Sequence, residues 1–349
     1  MKVYIVCPYN KTGGPRSLHQ LGNNLISKGL DVYMYYGDHG QKAKTSKILY
    51  DDSLAKIANK IEDKKNNVVI TSEYDTGWLL KVKNAKRVIW WLSLTYYLNN
   101  DVLSAIKKYT LDRNQSSIYV PFRYFKRIVK DKLNGKSDRF INKDKDLQSI
   151  YHLYNCEYVR QYIVSRGVKS NNMQYLCGPI DLPEHKDPAR DILKNKKEII
   201  VYNPAKMDKD TINNIQKYMN VHYPNYILKP LKNMTHNEVL NNLKAAKVYL
   251  DLGYFPGPER MPREAVIQYC NIITANRGSA ANNIDIPIPQ KYKFKTDPVN
   301  IEQLCELAIR MCDDFETYTS DYDRYRTKVK NQIARFDKDI NEFCNNIKK

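Results

Sequence analysis

The 349-residue sequence lacks long hydrophobic runs, and no window approaches the roughly 20 apolar residues that a helix needs to cross a bilayer. Its opening, MKVYIVCPYN, is a strand pattern with polar flanks, without the apolar run of a signal peptide. We therefore expect a cytoplasmic protein. Hydrophobic residues still make up 42% of the chain, enough to bury a core and to argue against wholesale disorder. At roughly 150 residues per domain, the length predicts two domains.

Cysteine is sparse and irregularly spaced. The seven cysteines are odd in number and form no CxxC pair, which argues against a disulfide framework and against a zinc site. No aspartate pair has the setting of a metal-binding DxD motif, so we predict no metal site. Three histidines lie in helix-like patterns and are interpreted as ordinary side chains rather than ligands: His19, His152 and His236.

Acidic residues are scarce relative to basic ones. The chain has 57 Lys and Arg against 38 Asp and Glu, a formal net charge of +19. Such a chain favours polyanions, namely nucleic acid, an anionic membrane or phosphorylated substrates. Charge alone does not choose among them, and codon bias in an AT-rich genome explains the wealth of Tyr, Lys and Asn equally well. No RNP, helix-turn-helix or zinc signature supports nucleic-acid binding, which we regard as an alternative.

The first half of the chain has the pattern of a parallel α/β unit. Residues 3–7 predict a buried strand, a glycine-containing loop follows, and leucines at helical spacing predict a helix that ends at Gly29. The next strand is predicted at 32–36, which completes a parallel βαβ unit. Two more short apolar runs, 68–71 and 88–92, predict further strands of the same sheet.

Residues 101–145 interrupt this pattern with a segment rich in Lys, Arg, Tyr and Phe. About twelve basic and four acidic side chains between 107 and 145 give it a charge of roughly +8. We interpret it as a basic insertion in the first domain. We expect it to dock on an anionic surface, most simply the inner membrane face, through five apolar side chains: Tyr119, Phe122, Tyr124, Phe125 and Ile128. A solvated insertion that covers the first domain is the alternative.

The polar segment 182–197 is the predicted linker, and a second alternating α/β unit follows it. We predict an N-terminal domain at 1–182, a C-terminal domain at 190–330, and a terminal helix at 331–349 that packs back on the N-terminal domain. Within the second domain, Thr235 and Glu238 form the pattern of a capping box. A helix is predicted to open at Pro262, because proline suits the first helical turn.

Gly13 and Gly14 lie between the first strand and its helix. Paired glycines let the backbone approach a ligand closely, and a helix N-terminus offers N–H groups to an anion. The segment is neither GxGxxG nor a Walker loop, so it does not indicate a dinucleotide or a nucleoside triphosphatase. A tight turn explains the pair equally well.

Charged residues follow three strands of the second domain. Asn203 and Lys206 follow the first of them, where a lysine at the carboxyl edge of a parallel sheet can meet a diphosphate. A glycine turn follows another, with Arg277, Gly278 and Ser279. A solvated loop is the alternative for each segment taken alone, and two such loops on one sheet edge are more informative than either.

The densest cluster of charge is the loop DLGYFPGPERMPREA at 251–265. Glu259, Arg260, Arg263 and Glu264 place two carboxylates and two guanidinium groups within six residues. Arginine can clamp phosphates in a bidentate manner, and a carboxylate can accept hydrogen bonds from ribose or sugar hydroxyls. Braced loops between a strand and a helix are where α/β enzymes place their sites. A salt-bridged helix cap is the alternative.

Two segments resemble the retaining GT-B glycosyltransferases of family 4, also called glycosyl transferases group 1: KVYIVCPYNKTGGPRSLHQLGNNLISKGLDVYMYY and GPERMPREAVIQYCNIITANRGSA. The combination of IWWLSL, YNPAK, LDLG and PREA also resembles uncharacterised relatives from bacterial surface-polysaccharide gene clusters. The resemblance implies an α/β GT-B fold, with two Rossmann-like domains that have parallel sheets and face each other across a cleft. It implies that the Gly13–Gly14 turn faces the donor, that Glu264 holds the donor ribose and that Lys206 binds phosphate.

The resemblance implies a glycosyltransferase that moves a sugar from a UDP- or GDP-linked donor to a glycan or lipid-linked acceptor in surface polysaccharide or glycoconjugate synthesis. We predict that it needs neither cofactor nor metal and that Glu259 and Glu264 are catalytic. The predicted donor-binding residues are Gly13, Gly14, Asn203, Lys206, Arg260, Arg263, Glu264, Arg277, Gly278 and Ser279. The family usually has a second glutamate about eight positions before the ribose-binding one, and this chain has Pro256 there.

Three alternatives remain open at this point. A nucleotide-sugar epimerase on the same architecture would need acid and base side chains aimed at the sugar ring, and we do not identify them in the sequence. A catalytically inactive sugar-binding relative would explain Pro256. A polyanion- or nucleic-acid-binding protein would explain the net charge.

Overall fold

The computed structural model describes the following residues, to which every structural statement below refers: 1–38, 41–42, 47–100, 106, 116–133, 140–182 and 189–348. The chain divides into two compact units. The first unit combines Met1–Gly178 with Ala334–Lys349, and the second is Pro179–Ile333.

The first unit is built on a sheet of eight strands. They are β1 (Lys2–Cys7), β2 (Asp31–Asp38), β3 (Gln41–Lys42), β4 (Lys56–Ile57), β5 (Val68–Ser72), β6 (Lys86–Trp91), β7 (Tyr151–Tyr154) and β8 (Met173–Tyr175). Their order is β3-β2-β1-β5-β6-β7-β8, with β4 paired to β2. All pairings are parallel except that of β3. The central strands are buried on both faces, which explains why they appear in the sequence as short unbroken apolar runs.

The helices of the first unit connect and cover these strands. They are α1 (Gly13–Ser27), α2 (Leu94–Asn100), α3 (Tyr119–Leu133), α4 (Asp144–Gln148) and α5 (Glu157–Ser165), with 3-10 turns at Glu73–Lys81 and Ser170–Asn172. Gly29, with φ +80°, closes α1, and Gly167, with φ +78°, closes α5, because glycine adopts the left-handed conformation without a Cβ penalty. His152 lies in β7 and not in a helical pattern as predicted from the sequence, and burial lowers its pKa to about 4.

The second unit is built on five parallel strands. They are β9 (Lys197–Tyr202), β10 (Ile227–Pro230), β11 (Ala246–Asp251), β12 (Asn271–Ala275) and β13 (Lys293–Phe294), in the order β10-β9-β11-β12-β13. Because neighbouring strands are parallel, the loops that leave β9, β11 and β12 emerge along the same sheet edge.

The helices of the second unit follow the predicted alternation. They are α6 (Ala189–Lys194), α7 (Lys209–His222), α8 (His236–Ala245), α9 (Arg260–Ile267), α10 (Ile301–Asp313), α11 (Phe315–Thr319) and α12 (Asp323–Lys330). The predicted capping box is present at the start of α8, with reciprocal bonds between Thr235 and Glu238. Helix α9 begins at Arg260, two residues before the predicted start at Pro262. A proline in the first helical turn lacks only an N–H group that has no intrahelical partner.

Part of the predicted linker at 182–197 is ordered secondary structure, since α6 and the start of β9 occupy its second half. Residues 183–188 lie outside the described ranges, as does much of the basic insertion at 101–145.

Helix α13 (Gln332–Lys348) belongs for most of its length to the first unit. Its apolar residues join the core that includes Val3 and Ile5 of β1, and the list is Phe336, Ile340, Phe343, Cys344 and Ile347. An ion pair of 2.6 Å between Lys28 and Asp337 adds a polar contact to the same packing.

Candidate functional site

The carboxyl edge of the five-stranded sheet gathers the predicted charged loops. The loop after β9 contains Asn203 and Lys206, and the loop after β11 contains Glu259 and leads into α9. The loop after β12 contains the glycine turn at Gly278. Open α/β sheets bind their ligands at this edge. The structure therefore brings together in the second unit nine of the eleven residues predicted from the sequence.

Lys206 and Glu259 form an ion pair at the centre of this edge. Glu259 is the residue before α9, and burial raises the pKa of its carboxyl, an effect that the Lys206 ammonium opposes. Lys206 also lies over the ring of Phe255, 5.4 Å from its centroid. A Cβ at Gly253 would lie 2.3 Å from the Lys206 Cβ, so glycine is what allows the loops after β9 and β11 to approach so closely.

Glu264 is a buried carboxylate in the second turn of α9. One oxygen, Oε1, is 3.0 Å from His236 Nε2 and 3.5 Å from Arg260 Nε. His236 is the first residue of α8 and is about half exposed, and Arg260 also pairs with the exposed Asp181 at 3.3 Å. The carboxylate is thus fixed by two donors whose outer portions face solvent.

The glycine turn after β12 packs closely against the loop after β11 and is hydrogen-bonded to it. Gly278 has φ +61°, and a Cβ there would lie 2.2 Å from the carbonyl oxygen of Phe255. The Ser279 N–H donates to the same carbonyl at 2.9 Å, and the Ser279 hydroxyl donates to the Gly257 carbonyl at 2.7 Å. Arg277 donates to the Leu252 carbonyl at 2.9 Å. These bonds hold the Glu259 loop in one conformation.

Three predicted site residues have mainly internal contacts. Arg263 is buried and donates to the Glu259 carbonyl at 3.1 Å and to the Gln332 side chain at 2.9 Å. Ser279 is fully buried, and Asn203 is buried and accepts from the Ala205 N–H at 3.2 Å. Their contacts are those of a scaffold that shapes the loops.

Gly13 and Gly14 are the first residues of α1, in the other unit. They belong to the unit that does not contain the cluster after β9, β11 and β12. A Cβ at Gly13 would meet nothing within 4 Å, and one at Gly14 only a Leu92 methyl at 3.9 Å. The residue before them, Thr12, makes no side-chain capping bond, so the N–H groups at the start of α1 have no cap from its hydroxyl.

Sequence reasoning missed His236, Asp181 and Asp251 at this site. His236 was interpreted as an ordinary helix residue, yet it contacts Glu264. The available signal was the capping box at Thr235, which places position 236 at a helix start that follows a strand of the same sheet. Asp251 ends β11 fully buried and accepts from the Tyr249 hydroxyl at 2.7 Å, and burial raises its pKa.

Within the described ranges, no group of three or more His, Cys, Asp or Glu side chains is arranged to hold a metal ion. No helix among the described residues is long and apolar enough to cross a membrane. The seven cysteines are buried and form no disulfide with one another.

Two Rossmann-like units with parallel sheets, and ligand-ready loops at the carboxyl edge of the second sheet, make up the GT-B fold that the sequence predicts. Comparison with solved structures confirms that fold. No protein-family model matches the sequence, and no curated protein matches it.

Three solved structures share this fold with the chain. WaaG, a glycosyltransferase involved in lipopolysaccharide biosynthesis, superposes with a TM-score of 0.54 at 12% identity, covering 99% of both chains. HepE from Anabaena, in complex with UDP, gives a TM-score of 0.53 at 11% identity over 99% of both chains. The glycotransferase of kitacinnamycin gives 0.52 at 8% identity over 95% of both. Identities this low show similarity of fold.

Proposed function

We propose that the protein is a glycosyltransferase that moves a sugar from a nucleotide-sugar donor to a glycan or lipid-linked acceptor. The observation that carries the proposal is the arrangement at the carboxyl edge of the second sheet. There a buried carboxylate, Glu264, lies in the same loop-helix segment as Arg260. Lys206 comes from the loop after β9 and pairs with Glu259 of that segment. A carboxylate for ribose hydroxyls beside cations for a diphosphate is the chemistry that a nucleotide sugar requires.

The residues divide the work of transfer among them. Lys206 and Arg260 neutralise the charge that develops on the leaving diphosphate, while the Gly278 turn and Arg263 keep the loops in place. Glu264 accepts hydrogen bonds from the ribose. Glu259 is an acidic residue near the position where the family's second glutamate is replaced by Pro256, and we assign it the contact to the donor sugar. The HepE complexes with UDP and UDP-glucose support a UDP-linked donor.

The substitution Glu264→Gln tests the donor site. It keeps the shape of the side chain and removes the charge that accepts from ribose hydroxyls, so calorimetry should show UDP binding weakened by about 1.5–3 kcal/mol, or roughly 10- to 150-fold. Circular dichroism should show an unchanged fold. Glu306→Gln, on the outer face of α10, is the matched control and should bind UDP like the parent. Equal affinity in both variants would move the nucleotide site elsewhere.

We further propose that transfer needs no metal ion, because Lys206 and Arg260 supply the positive charge that a metal would bring to the diphosphate. Activity should survive EDTA. Loss of activity with chelator and its rescue by magnesium or manganese would contradict this proposal.

Assays of product separate transfer from the alternatives. A transferase releases the nucleoside diphosphate in step with sugar appearing on the acceptor, whereas an epimerase returns an isomerised nucleotide sugar without any acceptor. An inactive relative would bind UDP-glucose and produce neither.

We propose that the protein acts at an anionic membrane surface. The observation that supports this proposal is an apolar stripe on α3. Four side chains of α3, spaced by three or four residues, lie on one helical face and are exposed by 40–85%: Phe122, Phe125, Val129 and Leu133. Basic side chains flank the stripe, as is typical of helices that lie in the plane of a membrane interface: Arg123, Lys126, Arg127 and Lys130.

The stripe differs from the apolar set expected from the sequence. Tyr124 is only partly exposed and lies off the stripe, and the side chain of Ile128 is outside the described ones. Phe122 and Phe125 belong to both sets. Tyr119, which the sequence set also includes, is exposed at the start of α3, and the helical spacing adds Val129 and Leu133.

Vesicle co-sedimentation tests the membrane proposal. Binding should rise with the fraction of anionic lipid and fall with salt, since each basic side chain near the surface contributes about 1 kcal/mol. Replacing Phe122 and Phe125 with serine should weaken binding at every salt concentration, because apolar burial is not screened. Replacing Arg123, Lys126, Arg127 and Lys130 with glutamine should remove the salt-dependent part. A parent protein that ignores anionic vesicles at low salt would end this proposal.

A further inference from the structure

A large groove opens at the amino edge of the eight-stranded sheet. It has a volume of about 1150 Å³ and is lined by residues at or just before the starts of several strands, including Leu30, Asn67, Lys86 and Tyr151. Since the strands are parallel, this edge is opposite to the one where α/β folds bind their usual ligands. We call it the basic groove. Its volume is above the roughly 300–1,000 Å³ that is typical of small-molecule sites, which indicates an extended ligand.

The charged side chains that line the basic groove are all positive among the described residues. Five cationic side chains contribute, Lys65, Lys83, Lys86, Arg87 and Lys348, and six asparagines, Asn66, Asn67, Asn84, Asn171, Asn172 and Asn346. Neither Asp nor Glu occurs among the described residues that line it. The described lining thus has a net positive charge, which favours a multivalent anion.

Several of these cations are held in place. Lys86 Nζ donates to the Asn346 carbonyl at 2.9 Å, and Arg87 donates to the Ser149 hydroxyl at 3.0 Å. The carboxylate of Asp63 accepts from the backbone N–H groups of Lys83 at 2.8 Å and of Ala85 at 2.7 Å. Asp63 therefore pins the turn that carries Lys83 and is itself occupied by backbone donors.

The groove offers little for stacking nucleic-acid bases. Its one aromatic residue among the described lining is Tyr151, whose ring stacks on Phe343 at 6.2 Å and whose hydroxyl bonds the side chains of Gln174 and Asn346. Single-stranded nucleic acid is bound largely by stacking on exposed aromatic rings. Four of the lining asparagines make internal hydrogen bonds through their amides: Asn67, Asn84, Asn172 and Asn346. The asparagines that can meet sugar hydroxyls are the exposed Asn66 and Asn171, whose amides donate and accept together.

We propose that the basic groove binds an anionic oligosaccharide, a chain whose carboxylates or phosphates meet the cations and whose hydroxyls meet Asn66 and Asn171. The groove lies at a different sheet edge, and in a different unit, from the nucleotide site. The proposal therefore does not depend on the transferase assignment.

The test uses the full-length protein and a size-fractionated oligogalacturonate as the probe, with affinity measured by calorimetry over a salt series. The parent should bind, and the triple variant Lys65→Gln, Lys83→Gln, Arg87→Gln should lose at least tenfold in affinity. The slope of log affinity against log salt should fall by about one for each cation removed that contacts the ligand. The matched control replaces three exposed lysines of the second unit, Lys194, Lys209 and Lys217, and should bind like the parent.

Each remaining outcome decides the proposal. Equal losses in the groove variant and in the control would mean that net charge alone attracts the probe, and would overturn it. Tighter binding of polyuridylate than of oligogalacturonate, lost in the same groove variant, would make the groove a nucleic-acid site. UDP affinity should be the same in parent and groove variant, so failure here is distinguishable from failure of the donor site.

Discussion

The carboxyl edges of the two parallel sheets are built from the same kind of element and differ in how they treat charge. In the second unit, the edge has carboxylates with cationic partners, Glu259 with Lys206 and Glu264 with Arg260, and Glu264 also contacts His236. In the first unit, Glu73 follows β5 and its carboxylate accepts the N–H of Leu92, at the end of neighbouring β6, at 2.7 Å. One edge pairs its carboxylates with side-chain cations. The other edge holds its carboxylate by a hydrogen bond from the backbone.

Under the proposed function, the second edge is the one that takes an ionic ligand. There the cation of an ion pair can exchange its carboxylate for a ligand phosphate, so Glu259 competes with the diphosphate for Lys206. A carboxyl that backbone N–H groups hold in the interior has no such partner to release. Burial raises the pKa of Glu73 to about 7, which marks a group close to its neutral form.

The largest expected effect is the loss of stability when a glycine at one of the two edges is replaced by alanine. Gly278→Ala places a Cβ 2.2 Å from the Phe255 carbonyl oxygen in a left-handed conformation, and should cost roughly 2–5 kcal/mol in free energy of unfolding. Gly13→Ala meets open space and should change stability by less than about 0.5 kcal/mol. Denaturant unfolding of both variants checks the pair. Similar costs would show that the two glycine loops are equally constrained.

The second effect is a pH dependence that arises at the first edge. Because burial raises the folded-state pKa of Glu73 from 4.5 to about 7, the folded state binds more protons than the unfolded state between these values. Stability should therefore fall by up to about 3 kcal/mol as pH rises from 4.5 to 7. Glu73→Gln should flatten this part of the profile, and the exposed Glu316→Gln should leave it unchanged. An unaltered profile in Glu73→Gln would place its pKa near the ordinary value.

The third effect separates the two partners of the central ion pair. Lys206→Gln should weaken UDP binding by about 1.5–3 kcal/mol, because a charge-assisted bond to phosphate is lost. Glu259→Gln should strengthen UDP binding, because the carboxylate no longer competes for Lys206, and should at the same time lower the transfer rate. In the double variant the gain from Glu259→Gln should disappear. A gain that persists without Lys206 would show that the two side chains act independently on the ligand.

The smallest effect compares two arginines on α9. Arg260 is partly exposed, so Arg260→Gln should weaken UDP binding by only about 0.5–1 kcal/mol, after allowing for screening by solvent. Arg263 is buried with internal partners, so Arg263→Gln should lower the melting temperature and leave the affinity of the folded protein nearly unchanged. Calorimetry measures the UDP affinity of both variants, and thermal unfolding measures their melting temperatures. The opposite result would make Arg263 the phosphate ligand.

The sequence predicted the fold class and most elements because its signals are local. Apolar runs indicated the parallel strands, Gly29 indicated a helix end, and Thr235 with Glu238 indicated a capping box that the structure contains. The GT-B fold that the resemblance implied is confirmed. These features depend on neighbours within a few residues, which is the range that periodicity and capping rules cover.

The parts that escaped prediction depend on distant neighbours. The contact of His236 with Glu264 joins residues 28 positions apart, and the capping box at Thr235 indicates only that position 236 opens a helix. The inward direction of Arg263 follows from Gln332, 69 residues away. The charged residues could thus be identified from the sequence, whereas their division into ligand-facing and scaffold side chains required the structure. The catalytic and donor-binding roles given to them remain predictions.

Helix α13 has a consequence for how the chain reaches its folded state during synthesis. The core around Val3 and Ile5 includes Phe336, Ile340 and Phe343, so the first strands to leave the ribosome need side chains that leave it near the end. Residues 179–333 are made in between, and at 5–20 residues per second this takes roughly eight to thirty seconds. Throughout that interval the nascent first unit has an unfilled apolar face. The second unit is continuous in sequence and can complete its own core first, so the chain folds out of the order in which it is translated.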